Sequence, residues 1–225
     1  MKKSFINVLI NPDAFFRDAV GEQEKFTVPV LIVLVVGIAS AAYGYLIGGL
    51  TSQLMSSVMP GLESIIMIST VAMAIIGTFV FWVIWTAVIY GFSMIFKGEG
   101  SFKRILEFSG YGYLPQIAGS LITLVAAFIY LPKVHVPRVS TAGVPSDQLG
   151  QVVQGAVTTM MKDPAMVELT QITILVTIVF LLWSANIWIF AIRHARKLSP
   201  RDAALCVGIP VIAYIFYMIY NLGVS

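Results

Sequence analysis

Apolar residues fill five long windows of the chain, and charge returns only in short clusters between them. The windows 26–62, 64–96, 108–132, 169–192 and 203–225 contain no Asp, Glu, Lys or Arg. Each exceeds the roughly 20 residues that a helix needs to cross about 30 Å of hydrocarbon. One charge at the bilayer centre costs about 2.5–3.5 kcal/mol on insertion scales, which accounts for the exclusion. A helix also satisfies its own backbone hydrogen bonds where no water is available. Barrel strands alternate over about ten residues, and these windows are longer and continuously apolar. The pattern predicts an all-α integral membrane protein, a bundle of five transmembrane helices near 28–50, 67–96, 113–131, 168–192 and 203–222.

The segments between the windows read as surface helices and turns. Residues 1–27 form an amphipathic arm, in which Asn11 caps a helix that starts at Pro12. Phe15, Phe16, Ala19 and Val20 give that helix an apolar stripe. It either lies in the headgroup layer or packs on the end of the bundle. The turn from Met55 to Gly61 precedes a second helix that can begin near 64. At 1.5 Å per residue that helix is about 50 Å long, so it tilts or starts in the headgroups. Ser101 caps a short amphipathic helix over 102–108. Gly110, Gly112 and Pro115 then loosen the backbone and set the start of the third span, or kink it. In the loop 132–167, Leu149, Val152, Val153, Ala156, Val157, Met160 and Met161 recur at helical spacing. They predict an amphipathic helix over 146–161 that ends before Asp163-Pro164, the start of the next span. Ser199-Pro200-Arg201-Asp202 opens the fifth span in the same manner.

Composition confirms the class and adds an orientation. Of 225 residues, 58% are hydrophobic and 11% charged, against about 25% charged in a soluble domain. That excludes a lone water-soluble domain, a disordered chain and a nucleic-acid-binding module. Eleven of the fourteen Lys and Arg residues fall in the arm, the second loop and the fourth loop; the other three lie in the loop 132–167. The positive-inside rule then puts the N-terminus in the cytosol and the C-terminus outside. The net charge of +3 is a topology signal. The apolar run Ser4–Ile10 stops at Asn11-Pro12-Asp13, too short for a cleavable signal core, so none is expected.

Little in the spans can do chemistry. His135 and His194 fall on opposite sides of the membrane and cannot share a metal, and Cys206 is the single cysteine. Nucleophile elbows, zinc-protease motifs, P-loops and dinucleotide fingerprints do not occur. Neither a catalytic centre nor a metal nor a cofactor is expected. The strongest polar groups in or near the spans are Gln116, Gln171, Asn186 and Asn221. Asn186, between Trp183 and Trp188, is expected to hydrogen-bond a neighbouring helix. Gly37, Ala41, Ser40, Gly44 and Gly48 repeat at four-residue spacing, a face for close internal helix packing.

Several of these pieces together resemble the Yip1 domain family of polytopic membrane proteins. They are Asn11-Pro12-Asp13-Ala14-Phe15-Phe16, the segment Phe102-Lys103-Arg104-Ile105-Leu106, the motif Gly110-Tyr111-Gly112-Tyr113-Leu114-Pro115, and a basic turn before Leu198-Ser199-Pro200-Arg201-Asp202-Ala203. Within the motif, Gly110, Tyr111, Leu114 and Pro115 carry the most specific signal. The resemblance covers most of the chain and implies a five-span domain over 28–225 behind the arm. Eukaryotic members of that family are implicated in vesicle traffic and bind Rab GTPases through a long cytosolic N-terminal region. Only about 25 residues precede the first span here, so that role is not carried over. The short form looks like a prokaryotic member, which would place it in the cell membrane.

The resulting expectation is a non-enzymatic membrane protein that organises membrane or serves as a scaffold. Its basic cytosolic face, Lys103, Arg104, Arg193, Arg196, Lys197 and Arg201, would meet the anionic lipid of the inner leaflet or a membrane-protein partner, including further copies of the chain. The same charges are also what topology alone requires. The alternative is a small transporter or channel subunit with a water-accessible path lined by Gln116, Asn186 or Tyr111. Five spans do not divide into two equal repeats, so such a subunit would act as an oligomer.

Overall fold

The structure is a computed structural model that describes residues 5–56, 58, 61–139, 144, 145 and 147–224. Every regular element among them is helical: α1 (Phe5–Ile10), α2 (Pro12–Ala19), α3 (Thr27–Met55), α4 (Glu63–Ile95), α5 (Phe102–Tyr111), α6 (Leu114–Tyr130), α7 (Leu149–Met161), α8 (Pro164–Arg196) and α9 (Pro200–Val224). A short 3-10 turn, Leu131–Lys133, prolongs α6. Five helices, α3, α4, α6 with its turn, α8 and α9, are long and apolar enough to cross a membrane. Lys2 and Lys3, counted in the charge tally, and Ser146, where the loop helix was expected to begin, lie outside the described residues.

The helix starts follow the caps. Asn11 Oδ1 accepts from Ala14 N–H at 3.3 Å, Ser101 Oγ from Arg104 N–H at 3.1 Å, and Asp163 Oδ1 from Ala165 N–H at 2.9 Å. Each satisfies a backbone donor that a helix's first turn leaves unpaired. α8 starts at Pro164 behind its Asp163 cap, as expected, and runs 33 residues, with Glu168 inside its first turns and its end at Arg196 beyond the apolar window.

Two apolar cores lie at opposite ends of the bundle. At the end that carries the arm, Phe16, Trp82, Trp85, Ile89, Phe108, Trp188, Ile192 and Cys206 are buried together. At the far end, Leu54, Leu131, Met160 and Leu169 are buried, with Val153, Ala156 and Val157 of α7 against them. The apolar face of α7 therefore caps the bundle. Between the cores, α3 and α4 run in close contact. An added Cβ at Gly44 would lie 3.5 Å from both Ala74 Cβ and Thr70 Cγ2, and one at Gly48 would lie 3.4 Å from Thr70. The small-residue face is thus an internal seam.

The arm packs on the bundle. Phe16 is fully buried, with its ring 4.9 Å from that of Phe108, and Phe15 meets Tyr111 edge-on at 5.2 Å. α1 packs on α2 and touches α8 where Trp183 Nε1 donates to Leu9 O at 3.4 Å; its Ile6 and Ile10 are exposed.

Candidate functional site

The motif at 110–115 builds a polar hub at the arm end. α5 extends through Ser109, Gly110 and Tyr111, so the glycines expected to loosen the backbone are instead points of close approach. A Cβ on Gly110 would sit 2.6 Å from Pro29 Cβ, and one on Gly112 would sit 2.0 Å from Trp188 Nε1. That closeness lets Trp188 Nε1 donate to Ser109 O at 2.8 Å. Ser109 Oγ accepts from Trp82 Nε1 at 2.9 Å and shares a hydrogen bond with Thr86 Oγ1 at 2.7 Å. Ser109, Thr86, Trp82 and Trp188 are all buried. Pro115 occupies the first turn of α6, where its missing N–H costs nothing.

Of the six basic residues expected to form an outward surface, Arg196 is inside. It is 5% exposed. Its Nε donates to Ser93 Oγ at 3.0 Å, its Nη1 donates to Gly100 O, and its guanidinium stacks over Tyr90 at 4.7 Å. Glu99 N–H donates back to Arg196 O at 2.9 Å. Gly100, at φ +124°, permits this approach, since a Cβ there would overlap Ala195 O. Arg196 therefore pins the turn between α4 and α5 to the end of α8. Proximity to the membrane edge in sequence suggested a surface charge; the long Arg stem instead carries the head inward onto carbonyl, hydroxyl and ring.

Arg104 and Arg193 are also engaged inside the protein. Arg104 Nη1 contacts Glu107 Oε2 at 2.7 Å, with both side chains largely buried. Glu107 Oε1 accepts from Lys25 N–H at 3.1 Å, tying the arm to α5. Burial pushes the Glu107 carboxyl above its ordinary range, against the pull of Lys25 N–H and Arg104. Arg193 Nη1 and His194 Nε2 both reach Asp13 Oδ1 at 2.8 Å, tying α2 to α8. Lys103 pairs with Glu24 at 3.3 Å and Lys197 with Glu99 at 3.2 Å, both with their Lys side chains in the open. Arg201 is exposed.

His194, then Arg193 and Arg17, hold Asp13 below its ordinary pKa of 3.8, against the opposing effect of burial. A carboxylate with a depressed folded pKa adds stability above its unfolded pKa, and that stability is lost as pH falls through the folded value. Asp13→Asn is therefore expected to melt lower than the parent at pH 7, and the gap is expected to close as the pH is taken below about 3.8. Thermal unfolding of both proteins from pH 7 to pH 3 checks this; a gap that stays constant to pH 3 would contradict it.

Further into the bundle lie two chambers, of about 220 Å³ between α3, α6 and α8 and about 370 Å³ reaching α4 and α9. They share Val36, Ser40, Gln116 and Thr177. Gln116 Nε2 donates to Ser184 Oγ at 3.1 Å, a hydrogen bond between α6 and α8. Among the described residues Asn186 makes no interhelical hydrogen bond, contrary to expectation. Two residues beyond Ser184, it is turned to the opposite side of α8, and it is exposed. Ser184 is the partner that sequence reasoning missed. Its phase was available, because Leu181, Ser184, Trp188 and Ile192 form one buried stripe. Tyr111 lies against Phe15 and Phe16, away from the chambers. Burial, with Glu107 and Glu22 nearby, pushes its hydroxyl up to about 12.

The Yip1 domain pattern matches residues 6–221, nearly the whole chain. The chain belongs to the Yip1 domain family. An uncharacterized protein of the archaeon Methanocaldococcus jannaschii is 37% identical over 129 residues, covering 56% of this chain and 89% of that one. No solved structure matches. This Yip1 domain is thus a multi-pass membrane protein, and its motif residues Gly110, Tyr111, Leu114 and Pro115 sit where α5 turns into α6.

Proposed function

We propose that this Yip1 domain protein is a non-enzymatic scaffold of the cell membrane, with its arm end in the cytosol and its C-terminus outside. The observation that carries the reading is the clamp at the arm end. Asp13 on Arg193 and His194, with Glu107 on Lys25 and Arg104, holds α2 and α5 against the bundle. The result is a fixed face. It offers Arg201, with the open side chains of Lys103 and Lys197 beside their partners Glu24 and Glu99, to an anionic headgroup layer or an acidic partner surface, while Ile6 and Ile10 of α1 lie exposed.

The reading is tested on Lys103→Gln, Lys197→Gln and Arg201→Gln together, in neutral-lipid proteoliposomes mixed with anionic liposomes. Association is expected to fall roughly tenfold or more and to lose its salt dependence, given the worth of each cation near an anionic surface. Unchanged association would leave these charges as topology signals only.

A transporter or channel subunit acting as an oligomer is the competing reading. The polar chambers that meet at Gln116 favour it. Against it stands the buried aromatic layer of Trp85, Trp188 and Tyr113 between the chambers and the arm end. Solute flux in proteoliposomes distinguishes the two; flux with any of a panel of solutes would overturn the scaffold reading.

A further inference from the structure

We propose that the larger chamber is a lateral binding site for an uncharged lipid alcohol, which enters between α4 and α9 and hydrogen-bonds through its hydroxyl end to Tyr113 and Gln116. Tyr113 lines the chamber and is 5% exposed, yet its hydroxyl has no hydrogen-bond partner among the described residues. A buried hydroxyl in an apolar setting is costly unless something pairs with it. Gln116 gives one N–H to Ser184 and keeps a carbonyl oxygen and a second N–H. Ser40, Thr78 and Thr177 add hydroxyls to the same wall. None of the lining residues carries a formal charge, so an ionic headgroup would enter without a counter-charge. A neutral hydroxyl meets both a donor and an acceptor.

The shape fits a ligand that arrives from the bilayer. α4 touches α9 where Phe81 and Trp85 meet Tyr214, with ring centroids 6.1 Å apart in each pair. Toward the far end α4 turns to α3, with Gly44 and Gly48 against Ala74, Thr70 and Met67. Met73, Gly77 and Phe81, one stripe of α4, line the chamber and are exposed on its outer side. The floor is aromatic: Trp188 meets Tyr113 at 5.7 Å and Trp85 at 5.5 Å. A volume of about 370 Å³ is within the range of small-molecule sites, about 300–1,000 Å³. It takes the polar end and first carbons of a lipid while the chains remain in the bilayer.

The test uses the full chain in phosphatidylcholine–phosphatidylglycerol nanodiscs with a diazirine-bearing diacylglycerol, and in parallel a diazirine-bearing phosphatidylcholine. The diacylglycerol probe is expected to label peptides containing Met73–Phe81 or Tyr113–Gln116, and the phosphatidylcholine probe to label only outward positions such as Val125 and Phe128. Tyr113→Phe keeps the ring and removes the hydroxyl, and is expected to lower chamber labelling about fivefold, the worth of one hydrogen bond. Gly77→Leu places a side chain at the mouth, where an added Cβ meets no atom within 4 Å; it is expected to melt like the parent and to abolish chamber labelling. Equal labelling by both probes, an unlabelled chamber, or labelling indifferent to both variants would overturn the proposal.

Discussion

Replacing Gly112 with alanine is expected to leave little monodisperse protein on size exclusion in detergent, and what remains is expected to melt far below the parent. The added Cβ would lie 2.0 Å from Trp188 Nε1, 2.3 Å from its Cδ1 and 2.8 Å from its Cε2. The indole has no room to retreat. It is 2% exposed and is held between Trp85 and Tyr113. Moving it breaks the bond to Ser109 O and strands a buried acceptor. Overpacking costs about 1–3 kcal/mol and the lost bond about 1–3 more, a large share of a typical folding free energy. Gly150→Ala is the control, since an added Cβ there meets nothing within 4 Å. A parent-like melting temperature for Gly112→Ala would show that α5 and α8 do not pack as described.

Arg196→Ala is expected to destabilise by about 4 kcal/mol or more, from two charge-assisted hydrogen bonds of about 1.5–3 kcal/mol each and a cation–π contact of about 0.5–2 kcal/mol. Ser93 Oγ and Gly100 O lose their donor, and the Tyr90 ring loses its cover. Lysine cannot restore it, because a single ammonium does not reach hydroxyl and carbonyl in the planar geometry of a guanidinium. Arg201→Ala, at an exposed position, is expected to change stability by under about 0.5 kcal/mol. Thermal melts of the three variants check the ranking. If Arg196 acted as a surface charge, Arg196→Ala and Arg201→Ala would lower anionic-liposome association alike and leave the melting temperature unchanged.

Gly112→Ala and Arg196→Ala also mark where sequence reading succeeds and where it stops. The spans were legible because exclusion of charge from hydrocarbon acts on every residue of a window. The caps at Asn11, Ser101 and Asp163 were legible because each acts on a donor two or three residues away. The seam at Gly44 and Gly48 was legible as a repeat on one helix face. Arg196 was not, because its partners lie about 100 residues earlier, Ser93 in the last turn of α4 and Gly100 on the turn that follows. Ser109 was missed for the same reason: its partners Trp82, Thr86 and Trp188 come from two other helices. Asn186 misled because polarity was weighed without helix phase, and the buried stripe through Ser184 excludes it. The larger chamber depends on where α4 and α9 part, which no local pattern encodes.

In the proposed orientation this five-span Yip1 domain turns its clamped arm end to the cytosol and its α9 terminus to the outside. Two reporters fused after residue 225 test it most directly in intact cells, one active only in the cytosol and one active only outside. Activity is expected from the external reporter alone. Activity from the cytosolic reporter at that position would contradict it, and with it the assignment of Lys103, Lys197 and Arg201 to the inner leaflet.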